Sequence, residues 1–346
     1  MSISNPDLQY IFIHLAKECN YACSYCYVGP EEESLTFEEW GNILRQGHKI
    51  GVRHLGILGG EPLLYQHLEE LLCLARRLDY APIYLYTNGS LLDASWIQKF
   101  KKYQVLPVVK FESRADVYRD LTQQEKFPLE AIKEKIRACG LAGLGVLTFI
   151  VLNKKNVGDI ATLIRESLEL GAFPVLERFI PIKDCLFNAD LEITDDEFVQ
   201  ASLEMDLVFR PVKFLYAWGM KIKNRKPCSC YDNLLSVTSS GDVLPCPYLA
   251  ISESLGNLKK QSLVEIQQVY FIKKRSYCGA SPSYVTKEKR KTGRCLTYSF
   301  YKTNSYGETR LEFCDHLNRV GYMLARFKLL RSLRKIFLKR LKRRLC

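Results

Sequence analysis

The chain reads as an α/β protein: a partial (β/α)6 barrel of parallel strands, then a small Cys-rich C-terminal domain and a basic C-terminal helix. Three observations predict this. Residues 8–181 alternate short apolar runs with segments of helical periodicity. From Pro211 that alternation gives way to short segments containing Cys, Gly and Tyr. From Arg326 to Cys346 ten Lys/Arg occur without one acid. These changes place boundaries that divide the chain into 1–210, 211–314 and 315–346.

The first strand is expected at "YIFIHL" (10–15), followed after a loop by a helix at "TFEEWGNILRQGHKI" (36–50), where Thr36 and Glu39 fit a capping box. Strand "HLGILGG" (54–60) leads to helix "LYQHLEELLCLARRL" (64–78). Strand "IYLYTNG" (83–89) leads to "ASWIQKFKKY" (94–103), with Asp93 or Ser95 at its start. Strands "VVKFES" (108–113) and "GVLTFIVL" (145–152) precede helices "PLEAIKEKIRACGLA" (128–142) and "GDIATLIRESLEL" (158–170). "PVLERFIP" (174–181) is the sixth strand, and a last helix is expected at 194–209. Strand–helix units in succession imply a parallel sheet with right-handed crossovers, and six of them suit a partial barrel rather than a complete eight-fold one.

The 346 residues have the hydrophobic and charged content of an ordinary globular protein. No run of about 18 apolar residues marks a transmembrane helix, and no basic segment precedes the first apolar residues as in a secretory signal. The protein is expected in the cytoplasm. Thirteen cysteines, an odd number in a long chain without a signal, point away from a disulfide scaffold. Cys73, Cys139 and Cys185 are scattered and read as small buried hydrophobes. The net charge of +12 belongs to the tail, because without its ten cations the remainder carries +2. The body is therefore not a nucleic-acid-binding surface by charge.

In a parallel barrel the site lies where the strands end. The first strand is followed by Cys19, Cys23 and Cys26, the second by Gly59, Gly60, Glu61 and Pro62, the third by Thr87, Asn88 and Gly89. The fourth ends at Ser113. Taken singly, the glycine pair is a tight turn and Asn-Gly a turn dipeptide. Taken together, they meet on one rim. Three thiolates in a short loop can hold three irons of a 4Fe–4S cube and leave the fourth open, whereas structural zinc needs a fourth ligand that the local sequence lacks.

These motifs resemble the radical S-adenosylmethionine (radical SAM) enzymes. The triplet, with Tyr25 in the aromatic position before its last cysteine, is similar to the family's cluster motif, "GGEP" to its methionine-binding motif and "TNG" to its third-strand segment. The resemblance covers roughly 8–181. It implies that Cys19, Cys23 and Cys26 ligate a 4Fe–4S cluster whose open iron is chelated by S-adenosylmethionine. It also implies that Gly59, Gly60 and Glu61 contact the methionine amino group, that the Tyr25 backbone faces the adenine, and that Asn88 and Ser113 lie near the ribose or carboxylate. Reductive cleavage then yields a 5′-deoxyadenosyl radical that abstracts hydrogen, with an electron donor such as flavodoxin or ferredoxin.

Cys228, Cys230, Cys246, Cys278, Cys295 and Cys314 form a second field. "CSCYDNLLSVTSSGDVLPCPYL" (228–249) reads as a β-hairpin with cysteines at its open end. It resembles the auxiliary-cluster domain SPASM or its shorter Twitch form, although the tight later cysteine run of the full pattern is missing. That resemblance implies one auxiliary iron–sulfur cluster on Cys230 (or Cys228), Cys246, Cys278 and Cys295. Zinc in the same thiolates is the alternative.

The tail spaces Leu330, Leu333, Phe337, Leu341 and Leu345 at helical intervals. It suits packing on its own domain or peripheral contact with the inner membrane surface. A SPASM-like module implies a peptide or protein substrate. The first strand begins near residue 8, so no leader-recognition domain is expected ahead of the barrel. The alternatives are a small molecule, cofactor or lipid precursor as substrate or, remotely, a zinc-stapled nucleic-acid-binding protein. No catalytic acid or base is assigned. Glu177, Arg178 and Cys185, at or after the sixth strand, face either the substrate or a packing partner.

Overall fold

A computed structural model describes residues 8–16, 18–28, 34–181, 188–194, 196–198, 200–201, 204, 233–248 and 253–279. Six parallel strands follow one another in sequence and in space: β1 (Tyr10–Ala16), β2 (His54–Gly59), β3 (Ile83–Thr87), β4 (Val105–Lys110), β5 (Leu147–Leu152) and β6 (Phe173–Arg178). They form the predicted partial barrel. Between them run helices α1 (Phe37–Lys49), α2 (Leu68–Arg77), α3 (Ala94–Lys102), α4 (Ala115–Thr122), α5 (Leu129–Leu141) and α6 (Ile160–Leu170).

Alternation along the strands separates two faces. On β1, Ile11, Ile13 and Leu15 are buried in the main core, which also takes in Trp40 and Leu44 of α1. Phe12 belongs to the other face, where its ring lies 6.3 Å from Tyr86, and Tyr86 lies 5.4 Å from Phe149. The Thr36–Glu39 capping box is present at α1, and Asp93 caps α3 by accepting from the Trp96 N–H.

Several elements differ from expectation. The second helix starts at Leu68 because Pro62–Leu64 form a separate 3-10 turn. β4 runs from Val105 to Lys110, so Ser113 lies beyond it rather than at its end. Helix α4 was not expected: it is short, and Arg114 at its N-cap makes no side-chain cap. The hairpin is present as β7 (Leu234–Val237) and β8 (Asp242–Leu244), with β9 (Gly256–Asn257) added beyond it. β7 lies parallel to β1, with Tyr10 opposite Leu234 and Ile13 opposite Val237. One sheet therefore runs β6-β5-β4-β3-β2-β1-β7-β8-β9. Helix α7 (Leu263–Gly279) follows and packs near α1, the Leu263 N–H donating to Gln46 Oε1 at 2.8 Å.

The helix expected at 194–209 falls largely outside the described residues, as do Cys185, Cys228, Cys230, Cys295, Cys314, the tail and the side chain of Cys278. Among the described residues no helix is long and apolar enough to cross a membrane.

Candidate active site

The cysteine loop leaves the end of β1 and is fastened to α4. The Ser24 N–H donates to the Leu121 carbonyl at 2.9 Å, Tyr21 and Tyr118 share a 2.7 Å hydroxyl contact, and Gln124 donates to the Asn20 carbonyl at 3.0 Å. Within the loop the Cys26 N–H donates to the Cys23 carbonyl at 3.1 Å. Cys19, Cys23 and Cys26 form no disulfide, with Cys19 and Cys26 exposed and Cys23 half-buried. Desolvation raises Cys19 and pushes the Cys23 thiol up to about 12; the neighbouring Cys26 adds to the Cys23 shift, and the Lys110 charge opposes it.

All three cysteines line one cavity, which with its open mouth encloses about 1120 Å³. Among the described residues no three His, Cys, Asp or Glu side chains converge on a single ion. A 4Fe–4S cluster gives each of three thiolates its own iron. Three soft sulfur donors spaced around a cavity fit a 4Fe–4S group.

Gly59 and Gly60 form the next part of the wall. Gly59 adopts φ +125°, a backbone that suits glycine and leaves the strand end bare of side chain. Glu61 lies behind this rim, fully buried. Its Oε1 accepts from Thr87 Oγ1 at 2.7 Å and the Leu63 N–H at 3.1 Å, and its Oε2 accepts from the Asn88 N–H at 2.8 Å. Burial pushes its carboxyl up to about 7 against the lowering effect of those three donors. The carboxylate ties the loop after β2 to the loop after β3. Asn88 reaches back to the cysteine loop, with Nδ2 2.8 Å from Asn20 Oδ1 and 4.0 Å from Cys19 Sγ.

The structure thus brings Cys19, Cys23, Cys26, Tyr25, Gly59, Gly60 and Asn88 onto one cavity. It does not bring Ser113 there, whose carbonyl instead accepts from Lys133. Glu177 and Arg178 also line the cavity. The sequence reading missed Lys110, Tyr27, Tyr86, Phe149 and Tyr248 in the wall. Alternation on β3, β4 and β5 could have flagged Tyr86, Lys110 and Phe149, but nothing local points to Tyr248. Its hydroxyl donates to Glu177, and its ring lies 5.1 Å from Tyr27. Tyr248 follows two residues after Cys246, which is buried.

Residues 13–166 match the Radical SAM superfamily, and residues 228–295 match SPASM, an iron–sulfur cluster-binding domain. The chain is 29% identical over 274 residues to PqqA peptide cyclase of Streptomyces rochei, covering 74% of each protein. It is 32% identical over 170 residues to a probable GTP 3′,8-cyclase of Methanopyrus kandleri, covering 47% of this chain and 54% of that one. Its fold is similar to that of Streptococcus suis SuiB bound to S-adenosylmethionine, with a TM-score of 0.67 at 17% identity, covering 89% of this chain and 77% of that one. The two matched domains imply 4Fe–4S clusters and S-adenosylmethionine as the cofactors. A cysteine loop built for a cluster, beside a bare glycine rim, thus lies within a radical SAM domain, and a SPASM iron–sulfur domain follows it in the same chain.

Proposed function

We propose that this enzyme modifies a peptide or protein. The observation that carries the reading is the position of Tyr248. It comes from inside the SPASM match, yet it lines the barrel cavity and bonds Glu177 on β6. The barrel and the C-terminal region therefore share one cavity, and the similarity to PqqA peptide cyclase extends over 274 residues.

In this reading Cys19, Cys23 and Cys26 hold the cluster, and Gly59, Gly60 and Asn88 receive the cofactor's amino acid end. The Tyr25 backbone faces its adenine. Glu61, already bonded to three donors, acts by holding the rim in register. When bound, the cluster and S-adenosylmethionine supply a carbon-centred radical able to take hydrogen from an unactivated carbon. Tyr27, Tyr86, Phe149 and Tyr248 form an aromatic wall that excludes water. Cys246, with Cys230 (or Cys228), Cys278 and Cys295, holds the auxiliary cluster. A flavodoxin- or ferredoxin-like protein donates the electron, and the basic tail is the part suited to a membrane surface. The division at about 211 and 315 belongs to this proposal. A small-molecule substrate is the second reading, favoured by the GTP 3′,8-cyclase similarity over 170 residues.

Anaerobic purification with iron, sulfide and zinc counts tests the metal assignment. About eight irons are expected, falling by about four in a Cys19/Cys23/Cys26→Ala variant. Incubation with S-adenosylmethionine, reductant and short peptides encoded beside this gene should then change a peptide's mass. Zinc without iron after reconstitution would refute the radical chemistry. Full clusters with turnover only of nucleotides would favour the second reading.

A further inference from the structure

At the end of β4, Lys110 and Glu112 form a buried ion pair whose side chains are 11% and 0% exposed. Glu112 is fixed from the other side by Asn156, whose Nδ2 donates to Oε2 at 2.9 Å. Asn156 is itself held, since its Oδ1 accepts from the Asn153 N–H at 2.9 Å and its Nδ2 also donates to the Val151 carbonyl at 3.0 Å. The carboxylate is thus anchored away from the cavity, while Lys110 lines it. The ammonium lies 4.8 Å from the Tyr25 ring centre, and its charge acts on the Cys23 thiol. Arg178, another cation in the wall, is committed to the Ile193 carbonyl and stacks its guanidinium 5.5 Å over Phe198. Burying an ion pair is seldom a net gain in stability, so the orientation of this one invites a role toward the cysteine loop.

We infer that Lys110 is a positioning residue for the cluster: the Asn156–Glu112–Lys110 chain presents a fixed positive charge to the Cys23–Cys26 loop and makes the cluster easier to reduce. A cluster ligated by three thiolates becomes more negative when it accepts an electron. A cation held nearby, where water does not screen it, favours the reduced state. Glu112 opposes this effect, but it is Lys110 and not Glu112 that lines the cavity shared with the three cysteines. The inference rests on the assignment of Cys19, Cys23 and Cys26 as cluster ligands.

The test is a potentiometric titration of the full chain, with both clusters loaded and iron counted. The EPR signal followed is the one that changes when S-adenosylmethionine is added. In it the cluster gains one electron from dithionite through mediator dyes, and no bond breaks. Lys110→Met should make reduction about tenfold less favourable, about 59 mV more negative for one electron. Glu112→Gln should move the potential the opposite way, because Lys110 then stands uncompensated. Should Lys110→Met misfold around an unpaired carboxylate, the Lys110→Met/Glu112→Gln double variant keeps the shape and should still lie below wild type. A purely structural pair would give no shifts of opposite sign. Fully loaded variants with the wild-type potential would overturn the inference alone. Absence of the responsive signal from the wild-type chain would overturn the cluster assignment with it.

Discussion

Glu61 shows how one carboxylate couples the site to stability. Its side chain is fully buried, accepts three hydrogen bonds and has its pKa pushed up to about 7 by burial. A folded-state pKa above the unfolded value of 4.5 means that the folded form binds the proton more tightly. The contribution is therefore fully present below about pH 4.5 and is lost as pH rises through about 7. For metal-free protein the loss is on the order of 3 kcal/mol between those limits. Urea unfolding at a series of pH values should show this decline in wild type and lack it in Glu61→Gln. The variant should also be weaker at low pH, because an amide nitrogen opposite the Asn88 N–H leaves a buried donor unsatisfied. Parallel curves for the two proteins would show that Glu61 is not the titrating group. The sequence marks Glu61 as a site residue, but its three bonding partners follow only from the fold.

Among the elements, the turn after β3 and helix α4 decide whether the rim forms. Gly89 sits at φ +81°, and a β-carbon there would lie 2.9 Å from Val109 Cγ1. Gly89→Ala is expected to cost about 1–3 kcal/mol through backbone strain and contact with β4. That should lower the denaturant midpoint without changing the slope; an unchanged midpoint would mean that the turn relaxes freely. The strands, α1 and α3 were legible because alternation, a capping box and an Asp N-cap are local signals. Helix α4 was not, since it has eight residues and no side-chain cap. It is nevertheless the element that fastens the cysteine loop through Leu121 and Tyr118.

At the scale of the molecule, the barrel does not end where its sequence rhythm ends. β7 pairs with β1 from Tyr10 to Ile13, and Tyr248 closes the cavity against Glu177. A chain cut after residue 210 loses both and exposes a core strand edge. It should elute as aggregate on size exclusion where the full chain does not; a monodisperse fragment would show that β1 needs no partner there. What the sequence determined by itself is local: the run of parallel strands, the cysteine spacing and the three motifs at successive strand ends. Each is written in neighbouring residues and needs no knowledge of partners. What only the tertiary structure decided is which distant groups meet. β4 begins and ends three residues earlier than its apolar run suggested, which leaves Ser113 outside the cavity and Lys110 within it. Strand ends and pairings depend on long-range register: alternation on β4 could mark the face that carries Lys110 but not where the strand stops, and no stretch of sequence near Tyr248 records its partner.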